Sequence, residues 1–423
     1  MRVSPALPIV ILLVGLTACT SEESPRPPAG DTPSARPTAP TATKPAAGRS
    51  FNLTSEIGTD TARSASAGRQ YDPRYAPKAN LGAGLTTNIL DITASGRLVA
   101  AANSEPKSTD GVVRIGQSRV GLQDATSFSP FPAAKNGTCR NTPRQAVYAD
   151  ERDGTVAWVE SASTNLYAFD WCVFAYDPGT KTTTLLGDSA SVSGRQQGMP
   201  EPSGSSAVSL GQSKAFWATT YQTSGKPKFG VKVVARQLTG GSGLETAVDH
   251  AKLPRAVGDT LFYVRSADIA PGFPKDRFEI RKREANGTDR LVAGGPLTAG
   301  QEVSTLSVKS SRVNWVIANP EQANSRLYSL DLKTNNAVTF KLGHAGPSTM
   351  FLRSTDDHLV WGNGSAAGDA GQYVYEFESG KLWRVGAEEG FSVIYAKADR
   401  LAWANIPGNS HNAKASYEVA DWK

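Results

Sequence analysis

The chain has 423 residues, a formal net charge of +6 at pH 7 and a sequence pI of about 9.1. Its 45 basic residues are interleaved with 39 acidic ones, so they do not form the basic stripe that nucleic-acid-binding proteins carry. The composition therefore argues against a nucleic-acid partner, and the modest positive charge does not by itself require any partner.

Residues 6–19, ALPIVILLVGLTAC, combine a short apolar core with small residues at its end, which is the layout of an export signal. The apolar run is shorter than the ~20 residues that a membrane span needs. The four residues LTAC (16–19) resemble the lipobox of bacterial lipoproteins. This resemblance implies a 1–18 signal peptide, lipidation of Cys19 (palmitate is expected among the acyl chains) and anchoring on the outer face of the bacterial cell membrane. A plain secretory signal with an incidental cysteine is the alternative.

The next segment has the composition of a tether. Of residues 20–50, 22 of 31 are Pro, Ala, Thr or Ser, and none is aromatic. Such a segment buries too little apolar surface to offset its ordering entropy, and its seven prolines favour an extended spacer. We therefore expect a signal peptide at 1–18, a lipidated cysteine with a disordered tether at 19–50, and one folded domain at 51–423.

Two cysteines, Cys139 and Cys172, remain once Cys19 is assigned to lipid. In an exported chain such a pair indicates a disulfide rather than a metal site or a nucleophile, and two buried free thiols are the alternative. A bridge between them closes a loop of about 34 residues, which the chain-entropy model values at roughly 3–4 kcal/mol. We expect this benefit to be local to segment 122–144.

A short pattern of turn, small apolar strand and aromatic residue recurs along the chain, as in GTVAWVES (154–161) and SRVNWVIA (311–318). Aligned on the aromatic position, the copies fall in one register: Ala100 (degenerate), Trp158, Trp217, Tyr263, Trp315, Trp361 and Trp403. Their spacings run from 42 to 59 residues. A period of about 40–50 residues is typical of a propeller blade.

The segments between these positions read as strands. VKVVARQL (231–238) and YVYEFESG (373–380) alternate apolar and polar residues and are bounded by Gly, Asn, Asp or Pro. Four antiparallel strands per repeat predict an all-β chain forming a single β-propeller of four-stranded blades. Seven blades are expected. Six are the alternative, because the first two spacings are long and Ala100 matches the register poorly.

The aromatic register has a predicted structural role. Trp buries up to ~250 Å² of surface, and blades that pack face to face need large flat side chains. We therefore expect these residues to pack blade against blade. A ring of aromatic side chains that stacks on a ligand is the alternative.

The last repeat shows three strands before the chain ends, and an open edge strand is an aggregation hazard. The stretch SFNLTSEIG (50–58) is predicted to supply the fourth strand. The ring is then closed by strands from the N- and C-terminal parts of the domain.

Two stretches, FAYDPGTKTTTLL (174–186) and RLYSLDLKTNNAVTFKL (326–342), resemble repeats of the TolB-like and WD40-like propellers of bacterial envelopes. The likeness covers most of 88–423. It implies a role as a scaffold or ligand-binding module and supplies no catalytic residues.

Sequence signatures of catalysis are missing. There is no His-x-His or His-Glu-x-x-His pair, nucleophile elbow, phosphate-binding loop or dinucleotide fingerprint. The stretch DERDG (150–154) differs from a calcium loop because it contains Arg152 and lacks the later bidentate Glu. We expect no cofactor, no metal site and no catalytic residue, and a monomeric chain.

Loops between the second and third strands of the repeats are long, and strand alternation places them on one face together with the inter-blade loops. Long loops on a rigid scaffold are where binding is usually built. The candidate binding residues on that face are Asp268, Lys275, Asp276, Glu321, Asn363, Asp369, Asn409 and His411.

Two functions remain open. The preferred one is an extracytoplasmic lipoprotein whose propeller binds an envelope protein or a cell-wall polymer through the face with long loops. The alternative is a hydrolase or lyase of envelope glycans, with Asp268, Asp276, Glu321 and Asp369 converging on the central funnel. That chemistry needs two carboxylates ~5–10 Å apart.

Replacing Cys19 with Ala tests the lipid anchor. We expect Cys19→Ala protein to leave the membrane fraction for the medium, or to stay unprocessed, with the propeller still folded, because several acyl chains are needed for durable anchoring. Membrane fractionation with immunoblotting measures this. Unchanged membrane association of processed protein contradicts the lipobox prediction.

Overall fold

Strands make up nearly all the regular structure of the protein. The computed structural model describes residues 50–77, 80–82, 85–104, 107–109, 112–114, 118–135, 139, 144–161, 171–193, 207–224, 229–239, 243–319, 324–343, 351–363, 371–386, 393–405 and 416–423. Within these ranges, no helix is long and apolar enough to cross a membrane.

Three short strands precede the first repeat, and seven sheets follow in chain order. The early strands are β1 (Asn52–Gly58), β2 (Arg63–Ser64) and β3 (Tyr71–Tyr75), with a 3-10 turn at Thr59–Thr61. Blade 1 contains β4 (Asn80–Gly82), β5 (Leu85–Ile92), β6 (Leu98–Ser104), β9 (Ser118–Gln123) and β10 (Phe128–Pro130). Between β6 and β9, a separate two-stranded hairpin is formed by β7 (Lys107–Thr109) and β8 (Val112–Arg114). Blade 2 contains β11 (Gln145–Arg152), β12 (Thr155–Ser161), β13 (Trp171–Asp177) and β14 (Thr182–Asp188), followed by the short helix α1 (Ser189–Ser193).

The other five blades repeat this order. Blade 3 contains β15 (Ser209–Leu210), β16 (Lys214–Gln222), β17 (Phe229–Gln237) and β18 (Glu245–Asp249). Blade 4 contains β19 (Lys252–Val257), β20 (Thr260–Ser266), β21 (Arg277–Arg283) and β22 (Asp289–Pro296). Blade 5 contains β23 (Glu302–Lys309), β24 (Arg312–Ala318), β25 (Ser325–Asp331) and β26 (Asn336–Gly343). Blade 6 contains β27 (Arg353–Ser354), β28 (His358–Asn363), β29 (Gly371–Glu376) and β30 (Leu382–Val385), and blade 7 contains β31 (Val393–Lys397), β32 (Arg400–Asn405) and β33 (Ser416–Trp422).

The inner strands of the seven blades form a closed ring, and in chain order they are β5, β11, β15, β19, β23, β27 and β31. Each contacts the inner strand of the next blade, and β31 of blade 7 returns to β5 of blade 1. Within each blade the strands pair in antiparallel order outwards from this ring. The all-β, seven-bladed propeller predicted from the repeat is therefore confirmed.

The N-terminal strap, residues 52–75, runs along the outer edges of three consecutive blades. β1 pairs in parallel with β26 of blade 5, and β2 pairs in parallel with β30 of blade 6. β3 pairs antiparallel with β33 and becomes the fourth strand of blade 7. Closure by N- and C-terminal strands is confirmed, but the prediction that 50–58 forms the closing strand was wrong, because that stretch pairs with blade 5.

The aromatic register lies in the packing between blades. Trp158, Trp217, Tyr263, Trp315, Trp361 and Trp403 all lie on second strands and are 0–4% exposed. Each belongs to a core cluster that includes side chains of the preceding blade, as Trp158 does with Leu90 and Val99 of blade 1. Side chains this deeply buried present no ring face to a ligand, so the packing role is confirmed.

Blade 1 has Ala100 at this register, and two tyrosines of blade 7 fill the space. Tyr395 and Tyr417 share a core cluster with Ile89 and Leu98 of blade 1. The Tyr395 hydroxyl donates to the Ile89 carbonyl at 3.1 Å, and the Tyr417 hydroxyl donates to the Thr87 carbonyl at 3.0 Å. The degenerate repeat is thus compensated from the neighbouring blade.

The two faces of the propeller differ in their connections. The loop-rich face carries the connections from second to third strands and from one blade to the next, such as 267–276 between β20 and β21. The short-turn face carries the other hairpins. One of them, Asp153–Gly154, has φ of 52° and 83°, as a two-residue type I′ turn requires.

We expect Trp361→Ala and Trp403→Ala each to lower the free energy of unfolding by ~3–5 kcal/mol, because each leaves a cavity between two blades. Denaturant titration followed by circular dichroism measures the loss. Trp383→Ala, at a half-buried position on β30, is the matched control and should cost less. Equal losses in all three variants contradict the role given to the register.

Candidate functional site

The described residues of the loop-rich face include half of the predicted binding residues. Asp268, Lys275 and Asp276 lie in loop 267–276 and are exposed. Asn363 is 0% exposed at the end of β28, where its amide donates to the Leu342 carbonyl at 3.0 Å. The remaining predictions fall outside the described residues: Glu321, Asp369, Asn409 and His411.

A buried lysine fixes one side of loop 267–276. Lys252, the first residue of β19, is 0% exposed, and its Nζ lies 2.8 Å from Asp268 Oδ2 and 3.6 Å from Glu302 Oε2. Glu302 begins β23, so the lysine ties the loop of blade 4 to the inner strand of blade 5. The Ser266 hydroxyl also donates to Asp268 Oδ1 at 2.5 Å. This loop is therefore a preorganised part of the face.

The environment of Asp268 does not suit a glycosidic proton donor. The Asp268 side chain is 41% exposed. Its partial burial raises the pKa of the carboxyl, but Lys252 and the Ser266 hydroxyl outweigh this effect and hold the pKa below its usual value. A general acid in glycoside hydrolysis needs a raised pKa. Asp268 therefore stays ionised at neutral pH, which does not fit the proton donor that the glycan-hydrolase alternative needs.

Cys139 and Cys172 form a disulfide, with their Cα atoms 6.2 Å apart. Both are buried in the core cluster between blades 1 and 2. Segment 122–144 is not one long loop, because residues 128–130 form β10 and Ala134 bridges to Thr183 of β14. The described part of this segment therefore joins the outer edges of two blades, and the disulfide fastens its end to β13.

The central channel contains charged residues that the search for motifs missed. One position of the inner strands pairs, in every blade, with the residue just before the aromatic register. We call this set the channel ring: Asp91, Asp150, Ser209, Arg255, Ser307, Arg353 and Tyr395. In each blade the member of this set lies eight residues before the aromatic position, except in blade 1, where it lies nine residues before Ala100.

Three members of the channel ring bind the backbone of the next blade. Asp91 Oδ2 accepts from the Glu151 amide at 2.9 Å, and Asp150 Oδ2 accepts from the Leu210 amide at 2.7 Å. Ser209 Oγ accepts from the Ala256 amide at 2.9 Å. Blades 1 to 4 are therefore joined at the channel by the same side-chain-to-backbone hydrogen bond.

An ion pair joins blade 7 to blade 2, the two neighbours of blade 1, at the short-turn end of the channel. Lys397 of blade 7 places its Nζ 2.8 Å from Oε2 of Glu151 in blade 2, which is 2% exposed. Burial opposes the charge on the lysine, but Asp91, Asp150 and Glu151 together raise the pKa of Lys397. The group therefore stays protonated and holds three consecutive blades together.

Asp91 is the most strongly perturbed acid of the ring. It is 2% exposed, and burial raises its pKa to about 6, although Lys397 and Arg353 pull the other way. Asp150 adds to the rise by charge repulsion. Its carboxyl therefore titrates near pH 6.

Comparisons with known proteins assign no family to this chain. No family model matches the chain, and no curated protein matches it. Similar solved structures include a puromycin-hydrolyzing peptidase of Mycobacterium tuberculosis (13% identity, TM-score 0.47, covering 84% of this chain and 56% of that one). They also include the β-propeller domain of the Trilobed protease from Pyrococcus furiosus (10%, 0.43, 78% and 91%) and the Pyrococcus horikoshii acylaminoacyl peptidase (9%, 0.48, 78% and 50%). The chain spans about half the length of the two peptidases.

We expect Asp91→Asn to change how stability depends on pH. The folded pKa of about 6 lies above the reference value of 3.8, so the folded state binds more protons than the unfolded state between these values. The carboxyl's contribution is therefore largest below pH 4 and is lost as pH rises through 6, by about 3 kcal/mol for two pKa units.

The measurement is the free energy of unfolding of both proteins from pH 4 to 7. The stability of the Asp91→Asn protein relative to the native chain should rise across this range, because Asn keeps an acceptor for the Glu151 amide and does not ionise. If the free energies of unfolding of the two proteins change in parallel with pH, the raised pKa of Asp91 is contradicted.

Proposed function

We propose that the protein is a membrane-anchored extracytoplasmic lipoprotein whose propeller binds an envelope protein or a cell-wall polymer through its loop-rich face. The single observation that carries this proposal is the point where the tether meets the fold. That point lies at the short-turn face, opposite the long loops.

The entry of the chain is defined by contacts with blade 5. The Asn52 amide donates to the Asn335 carbonyl at 3.0 Å, and the Asn335 side chain donates to the Ser50 carbonyl at 3.2 Å. Asn335 lies in the hairpin between β25 and β26, which belongs to the short-turn face. From Asn52, β1 then runs in parallel with β26 towards the loop-rich face.

Because the tether attaches at the short-turn face, the two faces of the propeller are not equivalent in an anchored protein. A tether that leaves at the short-turn face is attached away from the long loops, so it leaves the loop-rich face open to a partner. Phe51 packs edge-on against Trp315 at 5.6 Å, so the start of the strap is itself held against blade 5. The tether's proline content favours extension, which moves the propeller away from the lipid.

The loop-rich face also has the character of a binding surface. Loop 267–276 is held by the buried Lys252 and presents the exposed charges of Lys275 and Asp276. Binding residues on a fixed loop lose little conformational entropy when a partner docks.

Site-specific photocrosslinking tests the proposal. A diazirine amino acid replaces Lys275 on the loop-rich face or, as the matched control, Lys333 in the hairpin between β25 and β26. Both lysines are exposed. In intact cells, we expect defined adducts with a protein or polymer from position 275 and none from position 333.

The outcome separates the binding role from the anchor. Equal labelling at both positions, or defined adducts from position 333 alone, contradicts binding through the loop-rich face. Repeating the experiment with Cys19→Ala protein shows whether the adduct depends on the anchor, and its loss there is expected if the partner belongs to the envelope.

A further inference from the structure

The channel ring separates its charges around the axis. The acidic members, Asp91 and Asp150, lie in blades 1 and 2. The basic members, Arg255 and Arg353, lie in blades 4 and 6, and Ser307 of blade 5 lies between them at the same register. Three consecutive inner strands therefore carry an arginine, a serine and a second arginine at one register of the ring, and Ser307 is 5% exposed.

The two acids of the ring are engaged elsewhere. Each gives a carboxylate oxygen to a backbone amide of the following blade, at 2.9 Å for Asp91 and 2.7 Å for Asp150. Lys397, which lies beside them, is paired with Glu151 at 2.8 Å. Their positions are fixed by these contacts, so they do not move across the channel to pair with the arginines.

Each arginine has donors to spare. A guanidinium carries five N–H groups, and one hydrogen bond is described for each: Arg255 to the Pro254 carbonyl at 2.8 Å and Arg353 to the Leu352 carbonyl at 3.1 Å. Among the residues that the structure describes, no carboxylate oxygen lies within 4.0 Å of either guanidinium. Both side chains are half-buried and keep access to solvent.

The two positive charges also act on each other. Burial and then repulsion from Arg353 lower the pKa of Arg255 to about 10, against the attraction of Asp150 and Asp91. Like charges brought together in a partly desolvated site cost free energy, and an anion bound between them offsets this cost. Arg353 is held in place by the ring of Tyr395, 5.4 Å from its guanidinium carbon, so it is already ordered for a ligand.

We propose that Arg255, Ser307 and Arg353 bind a small oxyanion, a carboxylate or a phosphate group, within the central channel. The planar guanidinium matches both groups because it donates two parallel hydrogen bonds. The Ser307 hydroxyl supplies a further donor between the two arginines. This site is separate from the loop-rich face, so a small ligand and a large partner can bind the same propeller.

Calorimetric titration of the full-length protein tests the site, with inorganic phosphate and acetate as separate probes at constant ionic strength. We expect saturable binding of at least one anion, weakened on the order of 10-fold or more by Arg255→Gln and by Arg353→Gln. Arg236→Gln, on β17 away from the inner ring, is the matched control and should bind like the native chain. Preference for phosphate or acetate identifies the ligand group.

Two results overturn the proposal: no saturable binding of either anion by the native protein, or equal affinity in the native, Arg255→Gln and Arg353→Gln proteins. Should a glutamine variant fail to fold, Arg353→Lys replaces it, because lysine keeps the charge and removes the planar fork. Unchanged affinity of Arg353→Lys for the bound anion then counts against the site.

Discussion

Blade 7 has three strands from the C-terminal part of the chain, and β3 supplies the fourth from the opposite side of the sequence. Tyr71 pairs with Trp422 across this junction and packs edge-on against Trp403 at 5.2 Å. The pairing satisfies backbone groups that an open edge would leave to solvent or to another chain. It also brings β31 against β5, and only a closed ring gives the inner strands a common channel. Closure of the ring therefore depends on this pairing.

The repeat was enough to predict the fold because the spacing of its aromatic residues and their need for burial indicate the same architecture. Large aromatic residues recur at one position, and that position must be buried when sheets pack face to face, so spacing and chemistry point to the same architecture. The closing strand was placed wrongly for a physical reason. Both 50–58 and 71–75 alternate well enough to form an edge strand, and backbone pairing between edge strands carries little information about side chains. The choice between them depends on contacts hundreds of residues away.

The candidate site was less predictable. Exposed loop residues such as Lys275 follow from loop position alone, whereas the buried position of Asn363 depends on where β28 ends. The channel ring has a simple signal in the sequence, at a fixed offset before each aromatic residue, but its members differ in chemistry from blade to blade. Asp150 and Glu151 occur in the stretch that was compared with a calcium loop, and they serve instead as links between blades. These positions are recognised as equivalent only from the structure, where they occupy the same register on the seven inner strands.

Charge at the channel has two separate functions in this arrangement. On the side of blades 1 and 2, acids accept backbone hydrogen bonds and pair with Lys397, so their charge is used within the fold. On the side of blades 4 to 6, Arg255 and Arg353 have no carboxylate oxygen within 4.0 Å among the described residues, although they attract the acids across the channel. The same register therefore combines a structural half with a half that remains available for binding.

The strap also determines when the fold can be completed. Ser50 and Asn335 are 285 positions apart in the chain, and the partners of β2 and β3 lie further on still. During synthesis the strap exists long before the strands that it covers, so it has no partner until the last blades are made. Native contacts of such high sequence separation slow folding. The final docking of the strap is therefore expected to follow the assembly of blades 5 to 7, and it sets the time at which a growing chain becomes a closed propeller.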